Sequence, residues 1–458
     1  MLESESLNSV GELDVDGEVV RVEFEVVLVT ESSGGIDVHI QMRNSVIESE
    51  PPVFVSIGMG LKVDHPGSVG GAPVSYSGRM LDQPNTTDLR GLGSLKWTYF
   101  DEEVLAAWVA EMDFGLAPSI TAALHDAVDR GDTAYLSPVK EKAVADAAVA
   151  FWADRLDWKV TADRVFSVPD VVEGIRRAIV HLTAPGSAVA LHTPAYYPFF
   201  SMVERADRSV VEVPAKRDAD GIYRIDVDGV DRAFGEGAGS LVLCNPWNPT
   251  GRSLSTSEIE EVVAVAASHG GRIISDEIHA VLTYEGVEHV PAALLDPETV
   301  VTVTSASKAW NLPGLKCAQV VLTSDADIAP WSDYFTLEKR VAVGTFGLVA
   351  SAAAYDGGEA FLNEVMVRLE RNRKLLGDLI AAHLPDVEYT PPEATYLAWL
   401  DFRPYGLEMP AEFLLSHARV ALSEGAPFGS GGEGLARLNF ATSPSILTEI
   451  VERIGAAL

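Results

Sequence analysis

Short apolar runs separated by amphipathic stretches dominate the middle of the chain. Runs at 164–168, 188–191, 209–213, 241–244, 272–275, 300–304 and 319–323 have the length and side chains of buried strands. Helical spacing appears before them. Pro118 opens a segment whose apolar positions are Ile120, Leu124 and Val128, and Gly131 closes it. Val144, Ala148, Trp152 and Leu156 repeat the same period, which assigns Trp152 to a core rather than to a stacking platform. Between the strands, 257–268 reads as a helix, with Ser257 and Glu260 at capping-box spacing and Gly270-Gly271 after its end. Strands alternating with helices predict an α/β fold with a mostly parallel, seven-stranded sheet covered on both faces. The last third is helix-rich with strands near 396–400 and 437–440, which predicts a second, smaller α+β domain.

The first 80 residues follow another pattern. Val20 to Val26 and Ile36 to Ile40 alternate apolar with polar residues around Ser32-Ser33-Gly34-Gly35, as a hairpin would. Acidic residues outnumber basic ones 13 to four there, and the stretch from Gly67 to Gly78 has the Gly, Pro and Ser content of a linker. Two readings stay open: a small β appendage, or a start codon placed too early, with Met80 as the true start. The expected division is therefore 1–80 as an extension, 81–124 as the first part of the small domain, 125–330 as the large domain and 331–458 as the rest of the small one.

Composition narrows the function classes. The 458 residues carry a formal charge of −33, which repels nucleic acid and anionic membranes. Two cysteines, Cys244 and Cys317, exclude a disulfide scaffold, and the ten histidines show no metal-ligand spacing, so no metal is expected. The N-terminus lacks the basic and apolar regions of a signal peptide, and no apolar run is long enough for a membrane span, so a cytoplasmic location is expected.

The candidate chemistry lies where three predicted strands end, the edge at which open α/β sheets bind ligands. The segments are Asn245-Pro246-Trp247-Asn248-Pro249-Thr250-Gly251, Ser275-Asp276-Glu277-Ile278-His279 and Ser305-Ala306-Ser307-Lys308. A lysine at the mouth of a buried strand is either a solvated strand end or a desolvated amine of the kind a Schiff base needs. Asp276 is either half of a structural ion pair or the partner of a protonated ring nitrogen. The proline-rich turn is a tight loop that also holds the Asn248 amide with little freedom.

These three segments, the last continuing as Ala309-Trp310-Asn311-Leu312-Pro313-Gly314-Leu315, resemble the signatures of class I/II pyridoxal-phosphate aminotransferases. Lys96-Trp97, Trp108-Val109-Ala110-Glu111-Met112-Asp113-Phe114 and Thr395-Tyr396-Leu397-Ala398-Trp399-Leu400-Asp401 resemble the cystathionine β-lyase (C–S lyase) branch. The likeness runs from about residue 88 to 458. It implies fold type I, a large domain binding pyridoxal 5'-phosphate, and a small-molecule amino-acid substrate. By position in the motifs, Lys308 is implied to be the Schiff-base lysine, Asp276 the partner of the pyridinium nitrogen, and Asn248 the donor to the phenolic oxygen. Tyr196 is implied to stack on the ring, with Tyr197 as a rival. The amides of Val171 and Val172, the hydroxyls of Ser305 and Ser307, and Lys316 are implied to hold the phosphate. Lys316 stands where the family usually keeps an arginine. His279 reads as a hydrogen-bonded supporting residue. Arg437 is implied to grip the substrate carboxylate, with Tyr396 and Asp113 nearby. Tyr135 matches a tyrosine that reaches the site from a neighbouring subunit, which implies a homodimer, although Ala134 replaces the usual glycine before it.

Lys308, Asp276 and Arg437 serve two outcomes equally: loss of a thiolate from Cβ, or transamination. Resemblance to the lyase branch favours cystathionine cleavage, and the alternative is an aminotransferase of broad specificity. A third reading, a regulatory protein that keeps fold and cofactor without turnover, is opposed by the intact Lys308, Asp276, Asn248 and Arg437.

Overall fold

Seven strands form the central sheet of the computed structural model, which describes residues 4–15, 18–30, 36–42, 84–334 and 342–458. In chain order they are β4 (Val165–Val168), β5 (Ala188–Thr193), β6 (Val210–Pro214), β7 (Ala238–Cys244), β8 (Arg272–Asp276), β9 (Val300–Thr304) and β10 (Ala318–Leu322). Three earlier strands, β1 (Ser4–Val15), β2 (Glu18–Thr30) and β3 (Ile36–Met42), pair antiparallel in that order. They belong to a separate compact unit, Met1–Val74; the second unit is Ser75–Leu458.

The central sheet has the order β4-β10-β9-β8-β7-β5-β6. Pairing is parallel from β9 through β8, β7 and β5 to β6. β10 runs antiparallel to both its neighbours, so β4 points the same way as the rest. Six strands therefore end at one edge. β7, β8, β9 and β10 are buried almost along their whole length, as expected for strands covered on both faces. Each of the seven strand positions read from the sequence has its strand, within a few residues at the ends.

The helices depart from expectation in detail. The segment after Pro118 forms the helix α1 (Pro118–Asp129), but Val128 is 60% exposed and Ala127 takes the buried place. A one-residue shift of face follows because 3.6 residues per turn carries the stripe back toward Ala127. The helix α2 (Pro138–Leu156) buries Val144, Ala148 and Trp152, and Trp152 stacks on Trp158. Two further helices flank the sheet strands, α3 (Val171–Leu182) and α4 (Thr256–Ser268). α4 is capped by Ser255 and Glu258, not by Ser257 and Glu260. Both pairs have capping-box spacing. The earlier one prevails because Glu258 also meets the Arg252 guanidinium through two bonds of 2.9 and 3.1 Å.

α3 starts just beyond the carboxyl end of β4, so its N-terminus lies at the edge shared by the six strands. Asp170 caps it by accepting from the Glu173 amide at 2.8 Å. Its first turn lies hard against the sheet at Gly174, where a Cβ would stand 2.8 Å from a Val303 methyl. A four-stranded antiparallel sheet lies later in the chain: β11 (Glu388–Tyr389), β12 (Leu397–Asp401), β13 (Ser423–Glu424) and β14 (Leu435–Asn439), in the order β11-β12-β14-β13. Among the described residues no helix is long and apolar enough to cross a membrane.

Candidate active site

A cleft of about 1140 Å³, open to solvent, lies at the edge where the parallel strands end. Its wall is built strand by strand. β4 leads to Asp170, Val171 and Val172; β5 leads to Tyr196; β7 leads to Asn248; β8 ends on Asp276 with His279 beyond; β9 leads to Ser305, Ser307 and Lys308. Residues more than a hundred positions apart meet because parallel strands bring their carboxyl ends into one row.

Lys308 Nζ donates to the Ala110 carbonyl at 2.9 Å. Burial and the nearby Arg437 charge push its pKa down to about 8, against the opposing pull of Glu111 and Asp276. Burial lifts the Asp276 carboxyl to about 7, although the Ile278 amide donates to it at 3.1 Å and Lys308 lies near. One amine and one carboxyl thus stand close to neutrality in the same pocket, the kind of perturbation that marks reactive sites.

Arg437, on β14, enters from the other sheet and is almost wholly buried. Its Nη1 donates to Asn248 Oδ1 at 3.0 Å; its Nη2 donates to the Trp108 carbonyl and to Ser423 Oγ, each at 3.0 Å. Its Nε is buried without a partner, and no carboxylate pairs with it among the described residues. Because a guanidinium only donates, Asn248 must turn Oδ1 toward it, which leaves the amide Nδ2 for the cleft.

The first-turn amides of Val171 and Val172 have no acceptor among the described residues and open on the cleft, as a helix N-terminus does when it takes an anion. Lys316 lies on the same rim, ion-paired with Asp170. Tyr196 flanks the cleft, with burial pushing its hydroxyl up to about 12.

Several expectations need correction. Ser305 is not a free donor: its hydroxyl donates to the Cys317 carbonyl at 2.7 Å and accepts the Ser307 amide, so it shapes the loop before Lys308. Asp113 does not face a ligand, since both its oxygens are taken, by Lys96 Nζ and by Trp97 Nε1 at 2.8 Å each, in a fully enclosed pair. A buried carboxylate needs such partners. Tyr396 is buried and donates to the Ala110 carbonyl at 3.0 Å. His279 is not fully hydrogen-bonded: its Nδ1 is buried without a partner, and burial lowers its pKa to about 3, so the ring is neutral. Tyr135, expected to serve a neighbouring subunit rather than its own, is 84% exposed and does not line this cleft in its own chain. Sequence reasoning overlooked the Ala110 carbonyl, because a main-chain acceptor leaves no mark in residue type. It also overlooked Ser423.

Comparison with known proteins adds the family. The profile of Aminotransferase class I and II matches residues 109–454. The chain belongs to that family. Cystathionine beta-lyase of Corynebacterium glutamicum is 40% identical over 380 residues, covering 82% of this chain and 99% of that protein. Cystathionine beta-lyase PatB of Bacillus subtilis is 34% identical, covering 80% and 97%. Among solved structures, cystalysin of Treponema denticola, which contains pyridoxal 5'-phosphate, superposes with a TM-score of 0.77 at 26% identity, covering 82% and 98%. The aminotransferase class I and II match spans the whole central sheet and the cleft at its strand ends.

Proposed function

We propose that the chain is a pyridoxal-phosphate-dependent carbon–sulfur β-lyase that cleaves cystathionine, or another cysteine S-conjugate, to a thiol, pyruvate and ammonia. The observation carrying this is near full-length similarity to relatives named for that lyase, in a chain whose cleft gathers Lys308, Asp276 and Asn248, with the buried Arg437 bonded to Asn248 behind them.

The residues fit the cofactor. Asp276 sits where a cationic ring nitrogen would relieve the cost of its burial. Arg437 holds Asn248 Oδ1, so the Asn248 amide nitrogen would be free to donate to the phenolic oxygen. Val171, Val172, Ser307 and Lys316 would hold the phosphate, and Tyr196 would cover one ring face. Pyridoxal phosphate supplies an aldehyde that joins amines and a ring that accepts electrons from the α-carbon.

Lys308 would hold the aldehyde before substrate arrives. As a free amine, its Nζ would take the substrate α-proton, and a pKa near 8 leaves part of the amine unprotonated at neutral pH. Arg437 would hold the substrate carboxylate through its charge and its unpartnered Nε, which orients the Cα–H bond toward that amine. Asp276 would keep the ring nitrogen protonated. In the net reaction the Cβ–S bond breaks, the electron pair leaves on sulfur, and one water is consumed in releasing pyruvate and ammonia.

Support for a homodimer comes from Tyr135, which is exposed and does not line its own cleft. Two buried free thiols suit a cytoplasmic, reducing compartment.

The test uses cystathionine and no keto acid. A lyase releases pyruvate and free thiol in equal amounts over many turnovers. Turnover only on adding a keto acid would instead assign an aminotransferase.

A further inference from the structure

Residues 108–112 form a strap that meets the cleft at Ala110, and each of their five consecutive carbonyls accepts a bond from a side chain. The Trp108 carbonyl takes Arg437 Nη2 at 3.0 Å and Ser423 Oγ at 2.7 Å. Those of Val109 and Glu111 both take Asn439 Nδ2 at 2.7 Å. That of Ala110 takes Lys308 Nζ at 2.9 Å and the Tyr396 hydroxyl at 3.0 Å. That of Met112 takes Asn311 Nδ2 at 2.8 Å, while Asn311 Oδ1 accepts the Met112 amide at 2.9 Å. Asn311 therefore grips one residue of the strap at both ends of its peptide units. Asn439 spans the two carbonyls on either side of Ala110.

The two asparagines tie the strap to the two elements that carry the reacting groups. Asn311 lies three residues after Lys308, in the same loop, with φ +58, a left-handed conformation that asparagine tolerates. Asn439 lies two residues after Arg437 on β14, fully buried, and its Oδ1 accepts the Ala441 amide at 2.8 Å. The strap can shift relative to Lys308 only if one of these clamps opens.

Resting on the function proposed for this cleft, we propose that Asn311 and Asn439 are positioning residues: acting through the strap, they fix the Ala110 carbonyl against Lys308 Nζ and so set the place and proton balance of the amine. A carbonyl that accepts from an ammonium favours its charged form. The other charged or titratable groups around that amine are Asp276 at the end of β8, His279 beyond it, Glu111 on the strap, Arg437 on β14, and Tyr196 and Tyr396. His279 is neutral, Arg437 opposes the charge, and Asp276 and Glu111 favour it.

Full-length enzyme stripped of cofactor is mixed with pyridoxal phosphate across a pH series. The product is fixed with borohydride and quantified on the peptide bearing Lys308. Wild type sets the reference midpoint for capture. Asn311→Gly keeps the left-handed turn and removes both clamp bonds. Its midpoint falls by at least about half a pH unit, roughly threefold in the protonation equilibrium. Its kcat drops at least about tenfold with KM changed less than about threefold, the pattern of a lost transition-state interaction. Asn311→Asp, which keeps the acceptor for the Met112 amide, falls between the two. Midpoints of both variants matching wild type within about 0.2 units, with kcat lost only in proportion to folded protein, would overturn the positioning role. Failure of the wild type itself to form an adduct at Lys308 would instead remove the proposed function, and the positioning role with it.

Discussion

Arg437 has the environment that says most about its ligand. A buried guanidinium is costly unless its charge is met, yet its partners here are an amide oxygen, a carbonyl and a hydroxyl. The α-carboxylate of the proposed substrate would supply the missing anion. Lysine in its place keeps the charge but loses the fork and leaves Asn248 or Ser423 unmatched. Arg437→Lys is expected to lower kcat/KM for cystathionine by roughly 100-fold, about 2.7 kcal/mol, mostly through KM, with the cofactor still bound. Steady-state kinetics beside the visible spectrum of the bound cofactor checks both halves. Lys308, Asp276 and Asn248 stood out in the sequence because they follow buried strands, while Arg437, inside β14, stood out only through the family resemblance. The sequence misled at Asp113 and Ser305, where the same residue types serve the scaffold. Whether a carboxylate meets Lys96 or a substrate is decided by packing between segments, which no local pattern records.

At the scale of elements, the start of α4 shows how a cap is chosen between two equal candidates. Glu258 accepts from the Ser255 amide at 2.9 Å and from Arg252. Burial works to raise its pKa, but the Arg252 and Ser255 bonds outweigh it and hold the carboxyl at about 2, against an ordinary 4.5. The folded state therefore binds this proton more weakly than the unfolded chain. The stabilisation, at most about 3 kcal/mol, is fully present above pH 4.5 and is lost as the pH falls from there toward 2. Glu258→Gln should be less stable than wild type at pH 7, and the gap in denaturant midpoint should shrink as the pH is lowered below 4.5. A gap unchanged between pH 7 and pH 3 would show that the Glu258 charge contributes nothing. Strand positions were readable in advance because a buried parallel strand is a short apolar run whatever its partners are. Helix faces and caps were read less well, since Ala127 against Val128, or Ser255 against Ser257, differ by a small step in register and are settled by tertiary contacts such as Arg252.

At the scale of the whole molecule, one candidate residue has no place in its own cleft. Tyr135 stands 84% exposed just before α2, with Val139 near it in sequence at 77%. Both side chains would be suited to burial in a subunit contact. If Tyr135 completes the phosphate or substrate site of a second copy, two defects placed on different chains become separable. Lys308→Ala removes the amine of its own cleft; Tyr135→Ala damages the cleft of its partner. Each homodimer is then inactive or nearly so. In a mixed dimer, one cleft carries both defects. The other joins an intact Lys308 with the intact Tyr135 of the first chain. Co-expression in equal amounts yields about half mixed dimers with one sound cleft in two, so activity should recover to about a quarter of wild type by random pairing, the closed two-fold case of oligomer symmetry. If Tyr135 served its own chain, no pairing would reunite the two groups, and the co-expressed material would be no more active than the better of the two parents.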